Sequence, residues 1–124
     1  ALHLFLPDDQ LDYKECFWVL ALTRSNRLLG ISMIGMGSAI GVVVSTREIT
    51  QIALMTHASA VIVLHNHPSG CTAFSEQDLR TTKVISACLK TFDITLLDHI
   101  VITTESHRSM AEEGLLPFHS STID

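Results

Sequence analysis

Two histidines and an aspartate have the spacing to bind one metal ion. His65 and His67 lie two residues apart at the end of an apolar run, residues 60–64, which is typical of a buried strand. Side chains two apart on an extended segment point to the same face, so the imidazoles can converge. Ser75 begins a helical pattern that places Asp78 in the first turn, near the same loop. Two imidazoles, one carboxylate and an open position for water make a usual catalytic zinc site.

Amide hydrolysis at such a site also needs a base and a hydrogen-bond donor. Zinc lowers the pKa of its bound water to about 7, which gives a hydroxide nucleophile at neutral pH. Glu15, just ahead of an apolar segment, is the leading candidate for the base that carries the proton to the leaving amine, although spacing alone does not distinguish it from Glu48. The Ser75 hydroxyl could donate a hydrogen bond to the oxyanion of a tetrahedral intermediate.

Several of these residues also have a structural interpretation that needs no metal. Ser75-x-x-Asp78 has the spacing of a helix cap, and capping and ligation do not exclude each other. Glu48 stands in the same relation to Ser45 at the start of another predicted helix. Cys71 is either an ordinary loop cysteine or a thiolate that reaches the zinc as a fourth ligand and makes activity redox-sensitive.

Asp98 and His99 form a second polar pair, within an apolar strand. Successive strand residues face opposite sides, so one of the two must face inward. We expect a buried hydrogen-bond network that supports the site, in which Asp98 could be the carboxylate that orients a ligand histidine. The other histidines have no ligand-like spacing and are assigned to the surface or the core: His3, His57, His107 and His119.

The motif His65-x-His67-Pro68, followed after six residues by Ser75-x-x-Asp78 and preceded far upstream by a glutamate, resembles the JAMM motif of MPN-domain metallopeptidases. A narrower resemblance, to bacterial RadC-like proteins historically labelled DNA repair proteins, covers nearly the whole chain. It rests on these stretches: 65–70, 75–78, Leu97-Asp98-His99-Ile100, Lys14-Glu15-x-Phe17, Arg47-Glu48-Ile49 and Glu113-Gly114-Leu115-Leu116. The chain departs from the family pattern at Cys71–Phe74, which bears on substrate selection more than on metal binding.

The resemblance implies a role for each candidate residue. It makes His65, His67 and Asp78 the ligands of one zinc ion, Glu15 the catalytic acid and base, and Ser75 the residue that stabilises the intermediate. It also favours Glu15 over Glu48, because the motif neighbours surround Glu15. The implied fold is a single α/β (α+β) domain of the cytidine-deaminase-like JAMM type, with a mixed, mostly antiparallel sheet flanked by helices.

Local patterns predict where the strands and helices lie. Two strands, Glu15–Thr23 and Leu28–Ile34, are joined as a hairpin by the polar turn 24–27. A turn is predicted at Gly35-x-Gly37, a third strand at Ile40–Val44 and a further strand at Ile94–Thr103. A helix is predicted to begin at Ser45 or Thr46, and its buried face comprises Ile49, Ile52, Ala53, and Met55 or Thr56.

Length and composition favour one packed cytoplasmic domain. A chain of 124 residues with 47% apolar content is large enough for a single core. We expect no membrane span and no secretory leader, since no apolar run approaches 18 residues. Cys16, Cys71 and Cys88 show no C-x-x-C pattern, which favours reduced thiols. The first residue is Ala1, so we expect the carboxyl-terminal part of a longer protein.

Charge and motif leave several functions open. We favour a zinc metallopeptidase or isopeptidase acting on a peptide or isopeptide substrate. The alternatives are a metal-stabilised binding module without activity and a DNA-processing protein. A net charge of −5 with eight Lys and Arg opposes nucleic-acid binding by this region. The ligand set also suits ferrous iron, and the apolar segment 39–44 leaves pairing into a homodimer open.

Overall fold

The structure, a computed structural model, describes residues 15–36, 45–68 and 70–117. Its elements are β1 (Cys16–Leu22), β2 (Leu28–Met36), α1 (Thr46–Met55), β3 (Ala60–Asn66), α2 (Glu76–Thr91), β4 (Thr95–Ile102) and β5 (His107–Ser109). The described strands form one sheet in the order β2-β1-β3-β4-β5. The β3–β4 pair is parallel and the other three pairs are antiparallel. The predicted class, α+β with a mixed, mostly antiparallel sheet, is confirmed.

The predicted hairpin is present, with strand ends that differ from the prediction by one or two residues. Asn26 takes a φ of 65° in the turn, a left-handed conformation that asparagine tolerates. The turn predicted at Gly35-x-Gly37 is wrong for its described part, because β2 continues to Met36 and Gly35 pairs with Phe17 beside a register shift. The predicted third strand, the pairing segment 39–44 and Gly37 lie outside the described residues.

The two helices in the described ranges begin at the predicted caps. Ser45 precedes α1, and its hydroxyl accepts a hydrogen bond from the Glu48 backbone. Ser75 precedes α2 in a complete capping box with Asp78, the third helical residue. Ile49 and Ala53 are buried as predicted, whereas Thr50 is buried as well and Met55 is exposed. None of the helices in the described part of the chain is long and apolar enough to cross a membrane.

The two faces of the sheet have separate apolar clusters. On one face, side chains of α1 and α2 pack against alternate residues of the central strands, among them Phe17, Val19, Val61 and Val63. On the other face lie the intervening residues, including Trp18, Leu20, Leu64 and Ile102. This alternation is what period-two strands with two buried faces require. His65 therefore belongs to the face that α1 and α2 cover.

One irregularity in β4 changes which face its residues point to. Val61 pairs with Leu96 and Ile62 pairs with Asp98, so Leu97 is an extra residue in β4. An inserted residue of this kind reverses the alternation that follows it. Leu96 packs in the helix-covered cluster, whereas Ile100 and Ile102 pack on the opposite face. The reversal leaves His99 on the helix-covered face, the same as His65.

The crossover from β3 through α2 to β4 determines where polar groups gather. Because β3 and β4 are parallel, their carboxyl ends meet at one edge of the sheet. The chain leaves β3 at that edge and enters α2, so the first turn of α2 lies beside the end of β3. His67 follows β3 directly, and its backbone N–H donates to the Ile102 carbonyl at 3.2 Å.

Candidate metal centre

His65, His67 and Asp78 converge at this edge of the sheet. The two Nε2 atoms of the histidines are 2.9 Å apart. The Asp78 carboxylate oxygens lie 3.4 Å from Nε2 of His65 and 3.6 Å from Nε2 of His67. Ligand atoms of a tetrahedral zinc site are separated by about 3.3 Å, given zinc–ligand bonds of about 2.0 to 2.1 Å. The three side chains therefore fit one small cation.

Asn66, between the two histidines, points to the other side of the strand. Its side-chain oxygen accepts a hydrogen bond from the Cys16 backbone N–H at 2.6 Å, in the interior. The alternation expected of an extended segment thus brings the two imidazoles together and removes the intervening residue from the site. Asn66 instead ties the end of β3 to the start of β1.

Glu15 is the second carboxylate at the site. One of its oxygens and the ring nitrogens of His65 and His67 all lie within 4.8 Å of one another. Glu15 is half-buried at the start of β1, the strand next to β3. Glu48, the alternative base, is exposed in the first turn of α1. The geometry brings Glu15 rather than Glu48 to the histidines.

Ser75 and Asp78 make a reciprocal helix cap. The Ser75 hydroxyl accepts from the Asp78 backbone N–H at 3.0 Å, and the Asp78 carboxylate accepts from the Ser75 backbone N–H at 2.9 Å. The first of these bonds uses an oxygen lone pair, so it does not consume the proton of the Ser75 hydroxyl. The cap also holds the Asp78 carboxylate against the histidines, and capping and metal binding are compatible in this geometry.

Asp78 and His67 have opposite pKa shifts. Burial alone would raise the pKa of the Asp78 carboxyl, but contact with the imidazoles of His65 and His67 outweighs it and holds that pKa well below its usual range. The adjacent Asp78 carboxylate raises the pKa of His67 above its usual value, against the effect of burial. Asp78 is therefore an anion at neutral pH, as a cation ligand must be.

Contacts away from the Nε2 atoms orient the rings of both histidines. Nδ1 of His67 donates to the Cys71 carbonyl at 2.8 Å. The His65 ring stacks on Phe17, with 5.6 Å between centroids and 9° between planes. These contacts fix the direction in which each Nε2 points, which is the usual function of groups around a metal ligand.

Asp98 does not orient a ligand histidine, contrary to the expectation from sequence. Its carboxylate accepts hydrogen bonds from the backbone N–H groups of His99 and Ala111, at 2.7 and 2.9 Å, and from the Ser109 hydroxyl. It therefore holds the chain after β5 against β4. The side chain that bonds Nδ1 of His65 is instead His99, whose Nε2 lies 2.8 Å away.

His99 lies in a wholly buried environment. Burial lowers the pKa of His99 to about 3, and the nearby His65 imidazole acts in the same direction. Nδ1 of His99 is 2.6 Å from the Thr82 hydroxyl, which donates to the Asp78 backbone carbonyl at 2.7 Å. The network expected around Asp98 and His99 is thus present, and His99 and Thr82 are the residues that carry it to the site.

Cys71 reaches the site through its backbone. Its carbonyl accepts from His67, while its side chain is exposed. The backbone carbonyl of Cys71 thus helps to orient His67, and a role of the Cys71 thiolate as a fourth ligand stays a prediction.

Arg108 of β5 packs beside the loop that carries Cys71. Its guanidinium lies 5.5 Å from the centre of the Phe74 ring and pairs with both oxygens of Glu113. Phe74 in turn meets His99 edge to face, with 6.3 Å between centroids. The short strand β5 was not predicted, and no local pattern of the sequence indicates these contacts.

The chain is similar to a family of bacterial proteins. The family model described as RadC-like JAB domain matches residues 2–115. A UPF0758 protein of Coprothermobacter proteolyticus is 35% identical over 123 residues, which cover 89% of this chain and 52% of the relative. A UPF0758 protein of Clostridium acetobutylicum is 40% identical over 103 residues, covering 83% and 45%. One from Neisseria meningitidis is 34% identical over 120 residues, covering 90% and 53%.

These relatives are longer than the chain described here. The chain spans about half the length of the curated relatives it matches. The matched region contains every residue of the candidate metal centre, from Glu15 to Asp78, together with His99. The extent of the match shows that this chain belongs to the RadC-like JAB domain family.

Proposed function

We propose that this domain is a zinc-dependent amide hydrolase, a metallopeptidase or isopeptidase. The observation that carries the proposal is the convergence of two imidazole nitrogens and an anionic carboxylate within 3.6 Å, with a second carboxylate alongside. One carboxylate contacts both imidazoles and the other stands near them. The first, Asp78, is suited to be a metal ligand, and the second, Glu15, is suited to be the base; a metallohydrolase uses different residues for these two roles.

His65, His67 and Asp78 would hold the ion. Zinc bound there would lower the pKa of a coordinated water and polarise the carbonyl of an amide. The three ligand residues lie on a buried strand end and a helix cap, so they are held in position without the metal. The same ligands suit ferrous iron, and metal analysis of the purified protein distinguishes the two ions.

Glu15 and Ser75 supply the remaining chemistry in this proposal. The Glu15 carboxylate accepts a proton from the attacking water and delivers it to the leaving nitrogen, the role of a general base that then acts as an acid. The Ser75 hydroxyl retains its proton in the helix cap and donates it in a hydrogen bond to the substrate oxygen as negative charge develops there. Substrates are peptide or isopeptide bonds whose carbonyl can reach this edge of the sheet.

The first experiment measures metal content by inductively coupled plasma mass spectrometry. We expect one zinc per wild-type chain and loss of the metal in His67→Ala. Wild-type protein that stays folded without metal and does not take up added zinc or iron would contradict the proposal and favour a binding module.

Activity is then tested with a panel of fluorogenic peptides and isopeptide-linked peptides. Glu15→Gln should retain zinc and lose amide hydrolysis, by about 100-fold or more if the base contributes a typical amount. Glu48→Gln is the matched control, because Glu48 is an exposed acid in the first turn of α1. Equal activity of Glu15→Gln and the wild type would exclude Glu15 as the base.

A further inference from the structure

A series of three hydrogen bonds connects two of the proposed metal ligands through the interior. It runs from His65 Nδ1 to His99 Nε2, from His99 Nδ1 to the Thr82 hydroxyl, and from that hydroxyl to the Asp78 carbonyl, with lengths of 2.8, 2.6 and 2.7 Å. His65, Thr82 and His99 are each no more than 1% exposed. These hydrogen bonds are therefore shielded from water, and the positions of their protons are determined by the donors and acceptors within the series.

The position of each proton follows from the carbonyl at one end. A carbonyl oxygen only accepts, so at 2.7 Å the Thr82 hydroxyl must donate its single proton to Asp78. If that proton turned toward His99 instead, two acceptor oxygens would face each other at 2.7 Å with no hydrogen between them. Thr82 therefore accepts from His99, and Nδ1 of His99 carries a proton.

The same counting continues from His99 to His65. A wholly buried imidazole without a carboxylate partner is neutral, because burying an unpaired charge is costly. With its proton on Nδ1, His99 presents a bare Nε2 toward His65. His65 must then donate from Nδ1, so the neutral ring, the form in which histidine binds a metal, has its lone pair on Nε2. That lone pair points at Asp78 and His67, where a cation would lie.

We infer that Thr82 and His99 are positioning residues that fix the Nδ1–H tautomer of His65 and so direct its Nε2 lone pair to the metal. Without them, neutral imidazole has two tautomers, and the one protonated on Nε2 cannot bind a metal through that nitrogen. The Thr82 bond also ties the backbone of Asp78 to the same chain. One buried hydroxyl thus sets the orientation of two ligands that come from different elements, β3 and α2.

Thr82→Val tests the inference, because valine keeps the shape of threonine and removes the hydroxyl. We expect its zinc affinity, measured by competition with a chelator, to fall about 10- to 100-fold, the usual effect of losing a group that orients a ligand. Thr82→Ser should restore affinity to within a few-fold of wild type. Thr91→Val is the matched control, because Thr91 lies on the same helix and its hydroxyl bonds the carbonyl four residues back without touching a histidine.

Nitrogen-15 NMR of labelled histidines gives a second measurement that does not need a metal. Metal-free wild-type protein should show His65 protonated on Nδ1 and His99 protonated on Nδ1, whereas Thr82→Val should show His65 with a proton on Nε2 in part of the population. A wild-type His65 protonated on Nε2 would overturn the inference even if the valine variant failed to fold. Zinc affinity and His65 tautomer that are both unchanged in Thr82→Val would overturn it too.

The inference rests on the proposed metal site, but the two can fail separately. A wild type with the stated tautomers and no affinity for zinc or iron would support the hydrogen-bond chain and refute the proposed hydrolase. Zinc bound by the wild type, with the other tautomer on His65, would support the metal site and refute the role of Thr82 and His99.

Discussion

Acidification should weaken zinc binding, because one proton must leave the site for each ion that binds. The two Nε2 atoms of His65 and His67 are 2.9 Å apart, which leaves room for one hydrogen between them. The lowered pKa of Asp78 means that this carboxyl carries no proton near neutral pH. The raised pKa of His67 means that the proton belongs to His67 and is held in the metal-free protein below about pH 6.5.

The size of the loss of zinc affinity follows from the displacement of one proton per ion. Below the raised pKa of His67 the ion must displace the proton, so affinity falls tenfold for each pH unit, or about 1.4 kcal/mol. Between about pH 6.5 and about pH 5 the loss should be about 30-fold. Two displaced protons would give a loss of about 1,000-fold over the same range. Affinity should rise with pH until the pH exceeds the raised pKa of His67.

Zinc competition with a chelator of known protonation measures the slope. Calorimetry in buffers of different ionisation enthalpy gives the number of released protons independently. His107→Ala is the control, because His107 is an exposed histidine on β5 and should leave the slope unchanged. An affinity that does not change over this range would refute the assignment of the proton to His67. A slope of two would refute the argument that the paired nitrogens share one hydrogen.

Three further predictions concern the support of the site. Phe17→Ala, which removes a buried ring stacked on His65, should lower the free energy of unfolding by about 3 to 5 kcal/mol; the exposed Phe92→Ala should cost far less in the same urea titrations. Asp98→Ala leaves two backbone N–H groups and one hydroxyl without their acceptor. We expect the free energy of unfolding to fall by about 2 to 3 kcal/mol and the His65 tautomer to stay the same. An altered tautomer would contradict the structural role of Asp98. In the metal-free protein, protonated His67 stabilises the fold fully below pH 6.5, and this stabilisation is lost as the pH rises through the raised pKa of His67. The thermal unfolding midpoint of the chelated protein should therefore fall as the pH is raised through that pKa. His67→Ala should abolish this fall.

The parts of the site that could be predicted from the sequence depend on local patterns. His65 and His67 converge because strand periodicity is two, and Asp78 is placed by a cap that spans four residues. Each of these inferences needs only a few neighbouring residues. The same holds for the hairpin turn and for the start of α1 at Ser45. The resemblance then favoured Glu15 over Glu48 as the base. Glu15 lies fifty residues upstream of His65, and no local rule connects it to the histidines.

The roles of Asp98 and His99 could not be assigned, because they depend on an irregularity that the sequence does not mark. Strict alternation from the buried Leu96 would turn Asp98 toward the helices and His99 away from them. The extra residue Leu97 reverses this, and His99 meets Thr82 across the space between β4 and α2. Thr82 itself has the pattern of an ordinary buried helix residue. Its part in the site is visible only when helix and strand are packed together.

The candidate site is organised by groups that the fold holds in place without a metal. His65 is stacked on Phe17 and bonded to His99, His67 is bonded through Nδ1 to a backbone carbonyl, and Asp78 is locked in a helix cap. Much of the side-chain entropy that ligands usually lose on binding a metal is therefore lost on folding instead. Small zinc domains differ, since their ligands are brought together by the metal and the fold disappears without it. Here an apolar cluster on each face of the sheet supports the strands that carry the histidines, so chelation should remove the ion and leave the fold intact.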